Sequence, residues 1–227
     1  LGRELARRFG GVIVNADSIQ VYRELRILTS RPDGDAEAAV SHRLYGTVPA
    51  SERFSVGEWL TLARREIDLV HEAGHLPIFV GGTGLYIRSL VEGIALIPEI
   101  SAGVRLAATK LYGEIGEVRF RARLSERDPK AERRLQTGDK QRLIRAWEVL
   151  EATGKPISEW QSGKNIGGLK CPFFVITIMP QRANVMHLST SVLMFAIFAG
   201  YYKIWLPSFE QHAALQNVWE LDWSLKW

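Results

Sequence analysis

Two short apolar runs constrain the fold of this chain more than any other feature. Val12–Val14 ends abruptly in Asn15-Ala16-Asp17-Ser18-Ile19-Gln20, and Leu76–Val80 ends in Gly81-Gly82-Thr83-Gly84-Leu85-Tyr86. Each run reads as a buried strand that delivers polar groups at its carboxyl end, where open α/β sheets hold their ligands. Between them, residues 57–73 place Trp59, Leu60, Ala63, Ile67 and Val70 on one helical face, with Gly74 as the stop. Strand, helix, strand predicts a parallel sheet. Upstream, Leu1, Leu5 and Phe9 fall at i, i+4 and i+8 of a helix ended by Gly10-Gly11. Arg31-Pro32-Asp33-Gly34-Asp35 reads as a turn-rich loop, residues 85–92 as a helix and Phe173–Ile178 as a returning core strand.

From about Ala102 to Gly154 the pattern is helical and strongly charged, with breaks near Gly113–Gly116, Asp128-Pro129 and Thr137-Gly138-Asp139. This stretch reads as a helical insertion beside the sheet. The net charge of +4 alone fits a solvated surface. Ten Lys or Arg residues between Arg119 and Arg145 point instead to a phosphate-rich partner. Cys171 is the single cysteine, which excludes a disulfide framework and a thiolate metal site and suits a reducing cytoplasm. His71 and His75 do not combine with carboxylates at metal-ligand spacing, so no protein-held metal is expected.

Three strings carry chemistry. Asp17, at a strand end, reads as a general base or as the cap of a following helix. Gly81-Gly82-Thr83-Gly84 lets backbone N–H groups and a hydroxyl approach a phosphate, though tight turns use Gly-Gly pairs routinely. Gln141-Arg142-Leu143-Ile144-Arg145 sets Gln141 and Arg145 on one helix face with Arg142 beside it, while Leu143, Trp147 and Leu150 point to a core. A solvated face and a phosphate-positioning face both fit that pattern.

Together these strings, in this order from about Leu1 to Asn184, resemble the tRNA dimethylallyltransferases. The resemblance implies an α/β fold, a P-loop NTPase-like parallel sheet core with a helical insertion domain. It implies transfer of a dimethylallyl group from dimethylallyl diphosphate to N6 of the adenine 3′ of the anticodon, with Mg²⁺ bridging the diphosphate. Asp17 would be the base and Thr83 would assist at the donor. Asp17, Ser18, Ile19, Gln20 and Thr83 would contact the tRNA, with Ser18 to Gln20 helping to hold the flipped-out adenine and Thr83 lining the channel between donor and adenine. Gln20 suits a purine edge because it offers a donor and an acceptor together. Gly81, Gly82, Thr83 and Gly84 would line the donor phosphates. Arg105, which by itself reads equally as a surface arginine, would join Gln141, Arg142, Leu143, Ile144 and Arg145 in contacting the anticodon stem-loop. Ser41-His42-Arg43-Leu44 resembles a further landmark of the family, with His42 in a structural role. The expected organisation is residues 1–101 as the α/β core, 102–165 as the tRNA-contacting insertion, 166–184 as the return to the core, and 185–227 as an aberrant tail. A cytoplasmic monomer with no membrane association is expected. Three rivals share parts of the pattern: a prenyltransferase acting on free adenine nucleotide, a non-catalytic gene remnant, and a small-metabolite kinase.

Two departures from the family's pattern add expectations. Its phosphate loop, of the type Gly-x-x-x-x-Gly-Lys-Ser/Thr, would fall just before Leu1. A chain without it is expected to lack the main seat for diphosphate and Mg²⁺ and to transfer prenyl groups negligibly. The tail after Asn184 holds four of the seven Trp and few charges, and residues 192–202 form an uncharged run of 11. That run is short of the roughly 18–20 residues a membrane span needs, and a buried core helix is the alternative. A reading-frame shift near Asn184-Val185 is the expected origin. In the shifted frame, residues 185–194 and 215–223 can encode strings close to the family's continuation.

Overall fold

The computed structural model describes residues 1–178 and the backbone strand 193–197. Two compact units divide the chain. The first comprises Leu1–Val91 and the described residues from Gly168 onward; the second is Glu92–Gly167.

The first unit is a five-stranded sheet flanked by helices. Its elements are α1 (Gly2–Phe9), β1 (Gly11–Asn15), α2 (Gly34–Ala39), β2 (His42–Arg43), α3 (Val56–Glu72), β3 (Leu76–Gly81), α4 (Gly84–Glu92), β4 (Phe173–Thr177) and β5 (Leu193–Ile197). The strand order is β2-β1-β3-β5-β4. β1 runs parallel to both neighbours, with Ile13 opposite His42 and Ile78, and Asn15 opposite Val80. β5 is antiparallel to both β3 and β4. The expected parallel sheet is therefore present at β2-β1-β3 and becomes mixed beyond it. Leu193–Ile197, placed in the sequence reading within an apolar run of helical or membrane character, is a strand. Pairing on both sides satisfies its backbone groups, which an isolated apolar run cannot do. The rest of that run, and the proposed frame-shift region, lie outside the described residues.

The register aligns the ends of β1 and β3 and sorts their side chains by alternation. Ile13 and Ile78 pack with Ala6 of α1 and Val40 on one face. On the other, Trp59 of α3 stacks on Tyr86 of α4 at 4.3 Å and meets Phe79 edge-on. α3 owes its start to a full capping box between Ser55 and Glu58, and it buries Trp59, Leu60, Ala63, Ile67 and Val70. α2 begins where only a turn was expected. The Asp33 carboxylate accepts from the N–H of Ala36 and converts that turn into a helix start.

The second unit is all helical: α5 (Ala102–Arg127), α6 (Pro129–Arg134), α7 (Lys140–Thr153) and α8 (Ile157–Ser162). Phe120, Leu124, Leu143, Val149, Leu150 and Ile157 form its core. The anticipated breaks each have a local cause. Gly116 interrupts α5 with φ 72°, which a side chain would resist. Asp128 is buried and caps α6 through the N–H of Ala131, while its second carboxylate oxygen accepts from the N–H of Ser158. Asp139 caps α7. No described helix is long and apolar enough to cross a membrane.

Candidate active site and basic helix

Because β1 and β3 end in register, the two turns that leave them lie side by side. Their approach is close enough to demand glycine at Gly81, where a Cβ would stand 2.1 Å from the carbonyl carbon of Ala16 and 2.6 Å from the nitrogen of Asp17. The N–H of Thr83 donates to the carbonyl of Ala16 at 3.2 Å. The N–H of Ser18 donates to Thr83 Oγ1 at 2.8 Å, and that hydroxyl donates in turn to Ser18 Oγ at 3.2 Å. Asp17, Ser18 and Thr83, read from two strings 65 residues apart, thus form one polar constellation.

Asp17 serves as a cap and keeps a free side. Its Oδ1 accepts from the N–H of Ile19 at 2.8 Å and, more weakly, from that of Gln20 at 3.4 Å. This closes an Asx turn and not a helix, as residues 18–21 are turn. Oδ2 accepts no hydrogen bond among the described residues. The side-chain amide of Gln20 donates to the carbonyl of Thr29 at 2.8 Å, which fixes its orientation and leaves its oxygen as an acceptor. Ile19 is exposed and Ser18 half-buried. Gly82 and Gly84 are exposed on the glycine turn, and Gly81 is buried beneath it.

Several residues that position Asp17 escaped the sequence reading. Asn15 is fully buried at the end of β1. Its Nδ2 donates to the carbonyls of Asp17 (2.9 Å) and Leu44 (3.1 Å), and its Oδ1 accepts from the N–H of Asp17 (2.9 Å). The carbonyl of Asn15 accepts from the indole N–H of Trp59 at 2.9 Å. A polar residue ending an apolar strand was the available signal. Tyr45 and Tyr86 also stand near the acid. Burial pushes the Tyr45 phenol upward, with the Asp17 charge adding to it. Burial likewise raises Tyr86, followed by Tyr22, Asp17 and Glu58. Both phenols stay protonated and able to donate at neutral pH. His42 is half-buried in β2, with Nδ1 2.7 Å from the carbonyl of Val40 and its ring edge-on to Tyr45, a structural setting.

In the helical unit, Gln141 and Arg142 are exposed on α7, and Arg145 is half-buried beside them. Arg142 pairs with Asp139 at 3.0 Å and Arg145 with Glu148 at 3.2 Å. Leu143 and Ile144 sit in the helical core at 0% and 8% exposure. Their side chains seat α7 and are not available to a nucleic acid. The side chains left accessible along this string are those of Gln141, Arg142 and, in part, Arg145. Arg105 lies in the first turn of α5, with its Nε enclosed and unpaired among the described residues. Part of the basic cluster is structural. Arg121 bonds Glu117, Glu132 and the carbonyls of Leu135 and Gln136, and Arg127 pairs with Glu151.

The chain is 51% identical over 162 residues to a tRNA dimethylallyltransferase of Rhodospirillum centenum, covering 71% of this chain and 52% of that protein. It is 46% identical over 193 residues to the tRNA dimethylallyltransferase of Granulibacter bethesdensis, covering 85% and 60% respectively. The chain thus spans between half and three fifths of the length of these relatives. Among solved structures, a eukaryotic dimethylallyltransferase acting on tRNA aligns with a TM-score of 0.59 at 25% identity, over 74% of this chain and 43% of that one. A model of the IPP transferase family matches residues 20–188, which take in the Gln20 turn, the glycine turn and the basic string of α7, and by that match the chain belongs to the IPP transferase family.

Proposed function

We propose that the protein modifies tRNA, moving a dimethylallyl group from its diphosphate to N6 of the adenine 3′ of the anticodon. The N6 lone pair forms the new C–N bond as the allylic C–O bond breaks and diphosphate leaves. Asp17 takes the proton that N6 loses. The observation that carries this reading is the acid itself. Asn15 and the turn amides fix one side of Asp17, its Oδ2 has no acceptor role among the described residues, and Thr83 stands beside it. That is the arrangement a positioned general base requires. Gln20 and Ser18 meet the purine edge, the glycine turn Gly81–Gly84 lies against the donor, and Tyr45 and Tyr86 add neutral donors.

Arg105, Gln141, Arg142 and Arg145 hold the phosphates of the anticodon stem-loop, Arg142 and Arg145 exchanging Asp139 and Glu148 for phosphate oxygens. No three His, Cys, Asp or Glu residues gather among the described residues. They form no cage for a magnesium ion, which the diphosphate would carry with it. The reading places the protein, as a monomer, in the cytoplasm with its tRNA. The test is direct. tRNA is incubated with the donor and a chimera carrying residues 1–178 of this chain in place of the matching segment of the Rhodospirillum centenum relative. N6-dimethylallyladenosine is then sought by mass spectrometry after nuclease digestion. Product at the anticodon-adjacent adenine is expected. Prenylation of free adenine nucleotide in its place would assign the site to the rival substrate.

A further inference from the structure

Residues 135–139 join α6 to α7, and side chains of α5 hold them. Arg121 donates through Nη1 to the carbonyl of Leu135 at 3.0 Å and through Nη2 to that of Gln136. Glu117, one turn earlier on α5, accepts from the N–H of Gly138 at 2.9 Å. The same Glu117 oxygen accepts from Arg121 Nε at 2.9 Å, and Glu132 of α6 accepts from Arg121 Nη1 at 3.0 Å. The connection then delivers Asp139, the cap of α7, followed by Lys140, Gln141 and Arg142, all exposed. Asp139 pairs with the Arg142 guanidinium at 3.0 Å. Core packing seats α7 from Leu143 onward. Its first turn, which carries Gln141 and Arg142, therefore depends on how residues 135–139 are held. Stability is a weak reason for this arrangement. Arg121 and Glu117 are only 16% and 22% exposed, and taking charges out of water costs about what their attraction returns. What such a cluster supplies is a fixed geometry. The Gly138 amide, ahead of the Arg121 hydrogen bond, holds the Glu117 carboxyl below its usual range, so the acceptor stays ionised.

We propose, on the reading of α7 as a stem-loop contact, that Glu117 and Arg121 are positioning residues for RNA, which set the first turn of α7 so that Arg142 meets a phosphate. Neither touches the RNA. The Arg121 guanidinium is engaged by Glu117, Glu132 and two carbonyls, and Glu117 is an anion that phosphates repel. The planar fork of Arg121 is what lets one side chain address both carbonyls, which a lysine ammonium cannot reproduce. A first turn held before RNA arrives has less freedom to lose on binding.

The test is equilibrium binding of the 227-residue protein to an anticodon stem-loop RNA across a salt series. Glu117→Ala, Arg121→Lys and, as a control, Arg127→Lys are compared, the last altering the pair with Glu151 that ties α5 to the far end of α7. Charge and positioning make different predictions here. By charge alone, Glu117→Ala removes an anion and tightens binding, and Arg121→Lys changes nothing. Positioning predicts that Glu117→Ala weakens binding about fivefold and Arg121→Lys about threefold, each flattening the salt dependence by about one counterion. Arg127→Lys should leave both unchanged. Adding Arg142→Ala to either variant should cost little more, because the groups act through one contact. Tighter or unchanged binding overturns the proposal, as does equal weakening by Arg127→Lys or full additivity with Arg142→Ala. Arg121→Lys decides if the two variants disagree, or if far-ultraviolet circular dichroism shows that Glu117→Ala does not fold. RNA binding that depends on Arg142 but not on Glu117 or Arg121 rejects the positioning role and leaves the RNA contact standing. Absence of RNA binding rejects both. Binding that depends on Glu117 and Arg121, together with no prenyl transfer by the chimera, retains the positioning role and rejects the reaction.

Discussion

Replacing Asn15 by Ala should cost the α/β unit about 3 kcal/mol. The side chain makes three hydrogen bonds, two donated to the carbonyls of Asp17 and Leu44 and one accepted from the N–H of Asp17. Asn15 is 0% exposed and its bond to the carbonyl of Leu44 is enclosed, so water cannot replace that one. A typical net contribution of about 1 kcal/mol per bond gives about 3 kcal/mol, and leaving enclosed partners unpaired pushes the figure up, within roughly 2–5 kcal/mol. Domains of this kind are stable by about 5–15 kcal/mol, so the variant should fold. Hydrogen exchange under native conditions is the assay. Amides of β1 and β3 should open more readily by the same free energy, while those of α5 and α7 in the other unit stay as they were. The Asp17 turn, tied at both its N–H and its carbonyl to Asn15, should exchange fastest. A loss below about 1 kcal/mol at β1 would refute the reasoning, because three hydrogen bonds of a buried amide, one of them fully enclosed, cannot be removed so cheaply.

Gly81→Ala should cost at least about 2 kcal/mol, since its Cβ would meet backbone atoms of Ala16 and Asp17 that have no flexible end to move; an unchanged urea midpoint would contradict the close approach. Arg142→Ala should flatten the salt dependence of stem-loop binding by about one counterion, read from equilibrium binding across a salt series. Arg145→Ala should do the same and also destabilise α7, because it strands the 9% exposed Glu148; unchanged slopes for both would return these arginines to a solvated face. Tyr45 and Tyr86 titrate above the unfolded value of about 10, so the unfolded chain gives up those protons first and stability present below about pH 10 is lost as the pH rises past it. Urea midpoints measured upward from about pH 9 should fall, and Tyr45→Phe should make the fall shallower.

The elements legible in the sequence are those whose cause is local. The buried face of α3 follows from helical spacing and a capping box, and the observed face consists of the five residues that the spacing selects. The pairing of the Asp17 and Thr83 turns follows from two strands ending in polar strings. Its closeness rests on Gly81, whose role becomes visible only when β1 and β3 lie in register. Asn15 was passed over because its three bonds join backbone groups of Asp17 and Leu44, the latter 29 residues away. Arg121 shows the limit of charge counting. In sequence it belongs to a basic cluster, but Glu117 one turn before it and Glu132 on α6 absorb its charge. The six-residue helices α2 and α8 are too short for periodicity to reveal, and β5 owes its state to neighbours on both sides.

The central claim is that Asp17 removes the proton from the adenine amine. Single-turnover transfer to tRNA by the chimera, with and without Asp17→Asn, tests it most directly. Asparagine preserves the oxygen that accepts from the Ile19 amide and so keeps the turn, but it cannot take a proton. Turnover should fall about 10²–10⁴-fold while stem-loop affinity stays within about twofold. Undiminished turnover in Asp17→Asn would contradict the claim and leave Asp17 as the cap of its turn.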